Sequence, residues 1–294
     1  MIEVPEELVR LQNTYGGESG RAFLAALPER AAEFLERWEL RHTGGVMHGF
    51  TALVLPVERP DGTTAVLKLQ ALDEESAGEA DALRIWAGDG AVRLLAHDRE
   101  TNTLLLEKLD TGRHLSTVSD TRAAVRIIAE LLARLTAPAA PDGMRRLGDL
   151  TAAMLAEAPG AAGRLADESD RRLLLDCAAA VREVADEPGD RLLHWDLHYD
   201  NVLGSEREPW LAIDPKPLAG DPGFELLPAL LNRFDPADTE WRFDLMTETL
   251  GLDRARARAW TLGRALQNFL WDVSDGEPAL DAEQVSIART LLAR

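Results

Sequence analysis

The stretch HWDLHYDNVLGSEREPWLAIDP, residues 194 to 215, decides how the chain is read. Two apolar runs, Val202–Ser205 and Trp210–Ile213, flank a polar turn at Glu206–Pro209, a pattern that predicts a β-hairpin. An outgoing and a returning strand bring their outer ends together. Asn201 and Asp214 are therefore expected side by side, roughly 5 Å apart, where one magnesium ion can bridge an amide oxygen and a carboxylate. Asp196 lies on the loop that feeds the hairpin. As an ordinary hairpin, the same Asp and Asn residues would serve turns and caps.

The order Asp-Leu-x-x-x-Asn followed by a second Asp is the spacing of a phosphoryl-transfer loop and its metal site. Such chemistry asks for positioning and charge neutralisation. Asp196 supplies a base for a substrate hydroxyl, and Asn201 and Asp214 supply oxygen ligands for Mg2+ against the phosphates of ATP.

The rest of the chain is consistent with an enzyme of that size. It has 294 residues, 46% of them hydrophobic, enough for one large domain or two lobes. A formal net charge of -19 argues against nucleic acid or an acidic membrane as partner. It agrees with a cationic ligand, and equally with simple solubility. The single cysteine, Cys177, falls in an apolar helical run and reads as a core thiol in a reducing compartment, so a cytoplasmic location is expected. No apolar N-terminal segment and no run of about 18 apolar residues is present, so neither a secretion signal nor a membrane span is expected.

Residues 18 to 38 show helical apolar spacing, with Pro28 expected to start a second helix. Leu53–Val57 and Thr64–Leu69 read as strands about an Asp61-Gly62 turn. The preceding Thr43–Gly49 is glycine-rich, which suits close backbone approach to a ligand or a plain turn. Lys68 sits on an apolar strand, where its ammonium needs a polar destination, either solvent or a buried partner. Leu72–Gly88 reads as a helix on which Glu75, Glu79, Leu83 and Trp86 share a face. Lys68–Glu79 is the expected pair, with Glu75 the alternative. Val92–Ala96 and Thr103–Glu107 complete an expected five-stranded antiparallel sheet with one helix.

Lys108–His114 loses periodicity and suits a hinge. In a kinase reading the backbone from Glu107 to Leu109 meets adenine. Beyond it the chain is mostly helical, with helices expected at Ser119 or Asp120 to Leu135, Asp149–Ala156, Glu168–Ala185, Glu225–Asn232, Thr239–Leu250, Arg254–Asp275 and Asp281–Leu292. Arg191–Trp195 reads as a short strand. The Pro- and Gly-rich run after Asp214 reads as an irregular loop, with Lys216 expected to face solvent rather than touch phosphate or substrate, and Asp221 to cap the next helix rather than hold the catalytic loop. In the helix Arg254–Asp275, Gln267, Trp271 and Asp275 form a stripe flanked by Asn268 and Asp272. Core packing and the wall of a pocket for a polyhydroxylated cation are both open readings.

These residues resemble the aminoglycoside phosphotransferase branch of the protein-kinase-like fold, in particular the streptomycin 6-kinase (aminoglycoside/hydroxyurea antibiotic resistance kinase) family. The resemblance runs from Gly16–Ala22 and Arg37–Leu40 through Ala65–Gln70, Trp86–Leu95, Leu193–Asn201, Glu208–Pro217 and Gly220–Phe224 to Gln267–Asp272 and Asp275-Gly276. It implies an α+β, two-lobed fold. Residues 1–107 would form a small five-stranded antiparallel N-lobe with a helical extension, 108–114 the hinge, and 115–294 a helical C-lobe.

It also implies ATP-dependent phosphorylation of the streptidine 6-hydroxyl of streptomycin, a cause of antibiotic resistance. Asp196 would be the base, Asn201 and Asp214 the magnesium ligands, and Lys68 with Glu79 the anchor of the α- and β-phosphates. Compared with eukaryotic protein kinases, Trp195 replaces the arginine after His194. Ile213-Asp214-Pro215 stands where Asp-Phe-Gly would, and no activation-loop signature follows. Glu225, Asp235, Asp272 and Asp275 are the candidate acids for a doubly guanidinylated acceptor. A kinase of another small alcohol (a sugar, another aminoglycoside or hydroxyurea) and a nucleotide-binding protein without transfer activity are the competing readings. A monomer or weak homodimer is expected.

Overall fold

The computed structural model describes residues 2–293. Two compact units divide between Asp110 and Thr111.

The first unit begins with α1 (Glu6–Tyr15) and α2 (Gly17–Arg37). Strands β1 (Arg41–His42), β2 (Met47–His48), β3 (Ala52–Glu58) and β4 (Thr64–Gln70) follow, then α3 (Glu79–Trp86), β5 (Leu94–Asp98) and β6 (Thr103–Glu107). The sheet is antiparallel, ordered β1-β3-β4-β6-β5, with β2 also paired to β3. It thus has six strands where five are expected, and two of the six, β1 and β2, are only two residues long and carry no readable period. Leu53, Leu55, Leu67 and Leu69 bury one face of the sheet against Leu27, Ala31 and Phe34 of α2.

Pro28 lies inside α2 rather than starting a helix. A proline there forgoes the bond to the carbonyl of Leu24, and the stripe Phe23, Leu27, Ala31 and Phe34, buried on both sides of it, holds the helix through the gap. The helix expected from Leu72 begins only at Glu79. The preceding Asp73–Ser76 segment forms its own turn, in which Asp73 Oδ1 accepts from the amides of Glu75 and Ser76 at 3.0 and 2.7 Å.

Most of the span 108–114 expected as an aperiodic hinge is strand β7 (Asp110–His114), which straddles the division. The second unit continues with α4 (Thr121–Leu135), α5 (Leu147–Arg164), α6 (Glu168–Arg182), β8 (Arg191–Leu193), β9 (Val202–Gly204), β10 (Leu211–Ala212), β11 (Leu218–Gly220), α7 (Leu226–Leu231), α8 (Thr239–Leu250), α9 (Arg254–Asp275) and α10 (Ala282–Leu292). Aspartates start four of these helices. Asp120, Asp167, Asp253 and Asp281 each accept from backbone amides of the first turn. Gly251 and Gly276 end α8 and α9 in the left-handed conformation. The long, mostly buried α9 packs against α5, α6 and the 3-10 turn Pro222–Glu225, and forms the core of the unit.

Small ladders position the chemistry. Strands β10, β9 and β7 form one, and β8 and β11 the other. The second replaces the irregular loop expected after Asp214. Leu218, Ala219 and Gly220 are buried and pair with Leu193, Leu192 and Arg191, so burial and pairing order a segment that its composition marks as loop.

Candidate active site

β8 ends at Leu193 and delivers His194, Trp195 and Asp196. His194 is fully buried. Its Nδ1 lies 3.3 Å from the Asp196 amide and accepts from it, so Nε2 carries the proton and donates to the Ile213 carbonyl at 3.0 Å. Burial lowers the imidazole pKa to about 4, against the smaller opposing pull of Asp196, so the ring is neutral. A neutral ring with one donor and one acceptor stitches the Asp196 loop to the strand leading into Asp214.

Trp195 has φ +67°, the left-handed region that a non-glycine residue enters at a cost of about 1–2 kcal/mol. The turn is held by Glu225, whose two carboxylate oxygens each accept from the Trp195 amide at 3.0 Å. Glu225 is fully buried. Burial pushes its pKa up to about 7, while hydrogen bonds from the Trp195 and His194 amides and the charge of Arg264 pull it down. Glu225 therefore supports the loop from beneath and offers no surface to an acceptor, which corrects the sequence expectation.

The Asp196 carbonyl accepts from the His198 amide and from Asn201 Nδ2, at 3.1 and 2.9 Å. The second bond fixes the Asn201 amide group through its nitrogen, with Oδ1 as its acceptor atom. Hairpin pairing sets Leu211 opposite Leu203 and Ala212 opposite Val202, and the Ile213 amide donates to the Asn201 carbonyl at 2.9 Å. Asn201 thus faces Ile213, and Asp214 lies one step beyond the expected register. At Asp214 φ is +56°, which breaks the strand alternation at that residue.

Among the described residues no group of three or more His, Cys, Asp or Glu side chains could cage a metal. One amide oxygen and one carboxylate still fit magnesium, which binds through one or two protein oxygens and takes the rest of its shell from phosphate and water.

Lys216 does not face solvent alone. Its Nζ lies 3.4 Å from Asp196 Oδ2. Asp221 caps the 3-10 turn as expected, accepting from Gly223 N at 2.8 Å, and also holds Arg256 Nε at 2.6 Å.

Within the first unit, Lys68 and Glu79 form the expected buried pair. Nζ lies 2.8 Å from both carboxylate oxygens. Gln70 Nε2 adds a bond of 2.7 Å to Oε2, a contact the sequence reading missed although Gln70 shares the strand face of Lys68. Glu75 precedes the helix. Glu107 ends β6, where its amide and carboxylate engage the Arg93 carbonyl and amide at 3.0 and 2.8 Å. The Leu109 side chain is buried.

The second unit carries a cleft of about 770 Å3 that includes Asp196 in its wall. Asp272 and Asp275 line it, together with Asp200, which the sequence reading passed over beside its neighbour Asn201. Asp235 does not line it; that side chain is exposed and accepts from the Ala237 amide at 2.9 Å, a local turn role. Trp271 and Asn268 also face the cleft, while Gln267 is buried beneath and accepts from Arg264 at 2.6 Å. The stripe on α9 is thus core on one edge and cleft wall on the other.

Burial raises the pKa of Asp272 from its ordinary value; a hydrogen bond from the Asp281 backbone opposes the shift, and the charges of Asp281, Glu277 and Asp275 add to it. Two buried polar atoms of the lining, Tyr199 Oη and Asn268 Oδ1, have no hydrogen-bond partner among the described residues.

A family model described as aminoglycoside/hydroxyurea antibiotic resistance kinase matches residues 37–276. The chain belongs to that family. Family members similar to it include a hydroxyurea phosphotransferase of Kitasatospora aureofaciens, 64% identical over all of this chain and 87% of the relative. A streptomycin 6-kinase of Streptomyces glaucescens is 54% identical over 99% of this chain and 97% of its own. Another, of Streptomyces griseus, is 50% identical over the same shares.

Among solved structures, a thermostable mutant of aminoglycoside phosphotransferase APH(4)-Ia with ADP and hygromycin B matches with a TM-score of 0.61. It is 15% identical over 89% of this chain and 97% of that one. A fructosamine-3-kinase homologue from Thermobifida fusca gives the same TM-score at 22% identity, over 90% and 98%. At such identities the likeness shows the fold, which is the two-lobed, protein-kinase-like α+β fold of this kinase family.

Proposed function

We propose that the protein is an ATP-dependent aminoglycoside O-phosphotransferase whose acceptor is streptomycin, phosphorylated on the streptidine 6-hydroxyl. The observation that carries this reading is one cleft of about 770 Å3 in which Asp196 shares the wall with Asp200, Asp272 and Asp275. Carboxylates at that density suit a polycation, and two guanidinium groups match them by paired hydrogen bonds. Tyr199 Oη and Asn268 Oδ1 are buried polar atoms ready for acceptor hydroxyls.

Asp196 takes the proton of the acceptor hydroxyl as that oxygen bonds to the γ-phosphorus. The bond from phosphorus to the β–γ bridging oxygen breaks, and ADP leaves with the electron pair. Asn201 Oδ1 and the Asp214 carboxylate would hold Mg2+, which when bound neutralises phosphate charge. Lys68, held by Glu79 and Gln70, orients the α- and β-phosphates, and the backbone from Glu107 to Leu109 meets adenine. Action in the cytoplasm as a monomer or weak homodimer belongs to the same reading. The buried Cys177, whose thiol is pushed up to about 12 by burial, is an inert core residue that supports a reducing compartment.

The 64% identity to a hydroxyurea phosphotransferase favours a second reading, hydroxyurea as acceptor. Hydroxyurea is neutral and has only a handful of non-hydrogen atoms. It would leave most of the cleft empty and its carboxylates without a counter-charge.

Coupled ADP release with streptomycin, hydroxyurea, other aminoglycosides and sugars tests both readings, with Asp196→Asn as control. Turnover with streptomycin that falls at least about 1,000-fold in the variant is expected. Turnover with hydroxyurea alone would replace the first reading by the second.

A further inference from the structure

Phosphoryl transfer needs positive charge near the equatorial oxygens of the group in flight. The loop from Asp196 to Asn201 reads Asp-Leu-His-Tyr-Asp-Asn and carries no lysine or arginine. Two arginines line the same cleft, but both lie against rings. Arg233 lies over Tyr199 at 5.3 Å, and Arg264 over Trp195 at 4.8 Å.

Among the described residues, a cation reaches the base from just beyond the return strand of the hairpin. Lys216 Nζ is 3.4 Å from Asp196 Oδ2. An exposed ion pair at this distance is ordinarily worth little, and both side chains here are partly open to solvent. The backbone argues for more than a chance contact. The Lys216 amide donates to the His194 carbonyl at 3.0 Å, so the residue is tied to the Asp196 loop by its main chain. Prolines on both sides, Pro215 and Pro217, restrict its conformation. The left-handed turn at Asp214 redirects the chain just before it. A rigid tether on a flexible cation is what positioning requires.

Resting on the reading of Asp196 as base, we infer that Lys216 is a further catalytic residue of this kinase. Its ammonium holds Asp196 Oδ2, leaving Oδ1 to take the acceptor proton. As the acceptor oxygen–phosphorus bond forms and the bridging oxygen departs with ADP, the same ammonium shares its hydrogen bonds with an equatorial oxygen of the transferring phosphoryl group. Lys216 keeps its proton throughout.

The test uses the full chain with Lys216→Ala, Lys216→Met and Lys216→Arg. The expected result is a fall in kcat of about 100-fold for the Ala and Met variants. KM for ATP and for the acceptor should stay within about 3-fold of wild type, as for an interaction made mainly in the transition state. Methylammonium should restore part of the kcat of Lys216→Ala and none of that of Lys216→Met, whose side chain fills the space. Calorimetry gives a readout independent of turnover. ADP should bind wild type and Lys216→Ala alike, whereas ADP with aluminium fluoride and magnesium, a mimic of the phosphoryl group in flight, should bind the variant at least about 10-fold more weakly.

Unchanged kcat in Lys216→Ala, or loss of kcat without amine rescue and with unchanged affinity for the mimic, overturns the role of Lys216. Full turnover in Asp196→Asn overturns the underlying reading instead, so the two failures are distinguishable.

Discussion

Glu225 shows how one side chain can govern a loop it never leaves. Its carboxylate takes the amide of Trp195, the residue at which the chain turns with φ +67°. Removing the acceptor in Glu225→Ala strands a buried N–H and should cost about 1–3 kcal/mol where the wild-type carboxyl is protonated. Glu225→Gln keeps an acceptor oxygen and removes the charge, which makes the effect pH-dependent. In the fold Glu225 titrates at about 7, against 4.5 for an ordinary glutamate, because burial disfavours its ionised form. A carboxyl raised in this way contributes its stability in full below about pH 4.5 and loses it as pH rises through about 7. The loss amounts to roughly 3 kcal/mol. Urea unfolding of Glu225→Gln and wild type should therefore show a difference that moves in favour of the variant between pH 5 and pH 8. A pH-independent offset would mean that Glu225 is ionised in the fold with ordinary affinity for its proton.

At the scale of elements, the pairing of β8 with β11 carries the catalytic loop, and Gly189 makes their approach possible. Its φ is +80°, and a Cβ there would stand 2.8 Å from the Asp221 amide nitrogen and from the carbonyl group of Gly220. All three contacts are backbone, so no side chain can swing away. Gly189→Ala should destabilise the protein by more than about 2 kcal/mol, a drop in Tm of several degrees. An unchanged melting curve would show that the turn is not held in this shape. This ladder also marks where sequence reading stops. Elements with a long period were legible: α8 and α9 match their expected bounds to the residue, and β6 does likewise. Asp120, Asp221 and Asp281 announce their caps. The catalytic hairpin was legible too, because its turn and its apolar runs are local. Strands β1, β2 and β11 were not, being two or three residues long with no period of their own, and β1 and β11 take their partners from further off in the chain. Pro28 and Pro159 each sit inside a helix held by tertiary burial against local preference. The site divides in the same way. Lys68 with Glu79 follows from strand and helix faces. The Lys216–Asp196 contact and the inclusion of Asp200 in the cleft depend on how separate turns fold back, which no spacing encodes.

At the scale of the whole molecule, a formal charge of -19 surrounds a cleft whose wall carries Asp196, Asp200, Asp272 and Asp275. A polycationic acceptor approaching such a surface is drawn by the field of the entire chain before it meets any one carboxylate. That attraction is long-ranged and falls with salt, because the Debye length shrinks from roughly 10 Å at 0.1 M to 3 Å at 1 M. The chemical step after binding is shielded from this change, since its charges lie in contact. Raising sodium chloride from about 0.05 to 0.5 M should therefore lower kcat/KM for streptomycin by about 10-fold while kcat changes less than about 2-fold. A neutral acceptor of the same enzyme should show little dependence. Asp275→Asn, on the rim of the cleft, should raise the acceptor KM by several-fold and flatten the salt dependence, with KM for ATP unaltered. Salt dependence equal for cationic and neutral acceptors would place the negative charge outside the recognition of substrate, and the acidity of the chain would then serve solubility alone.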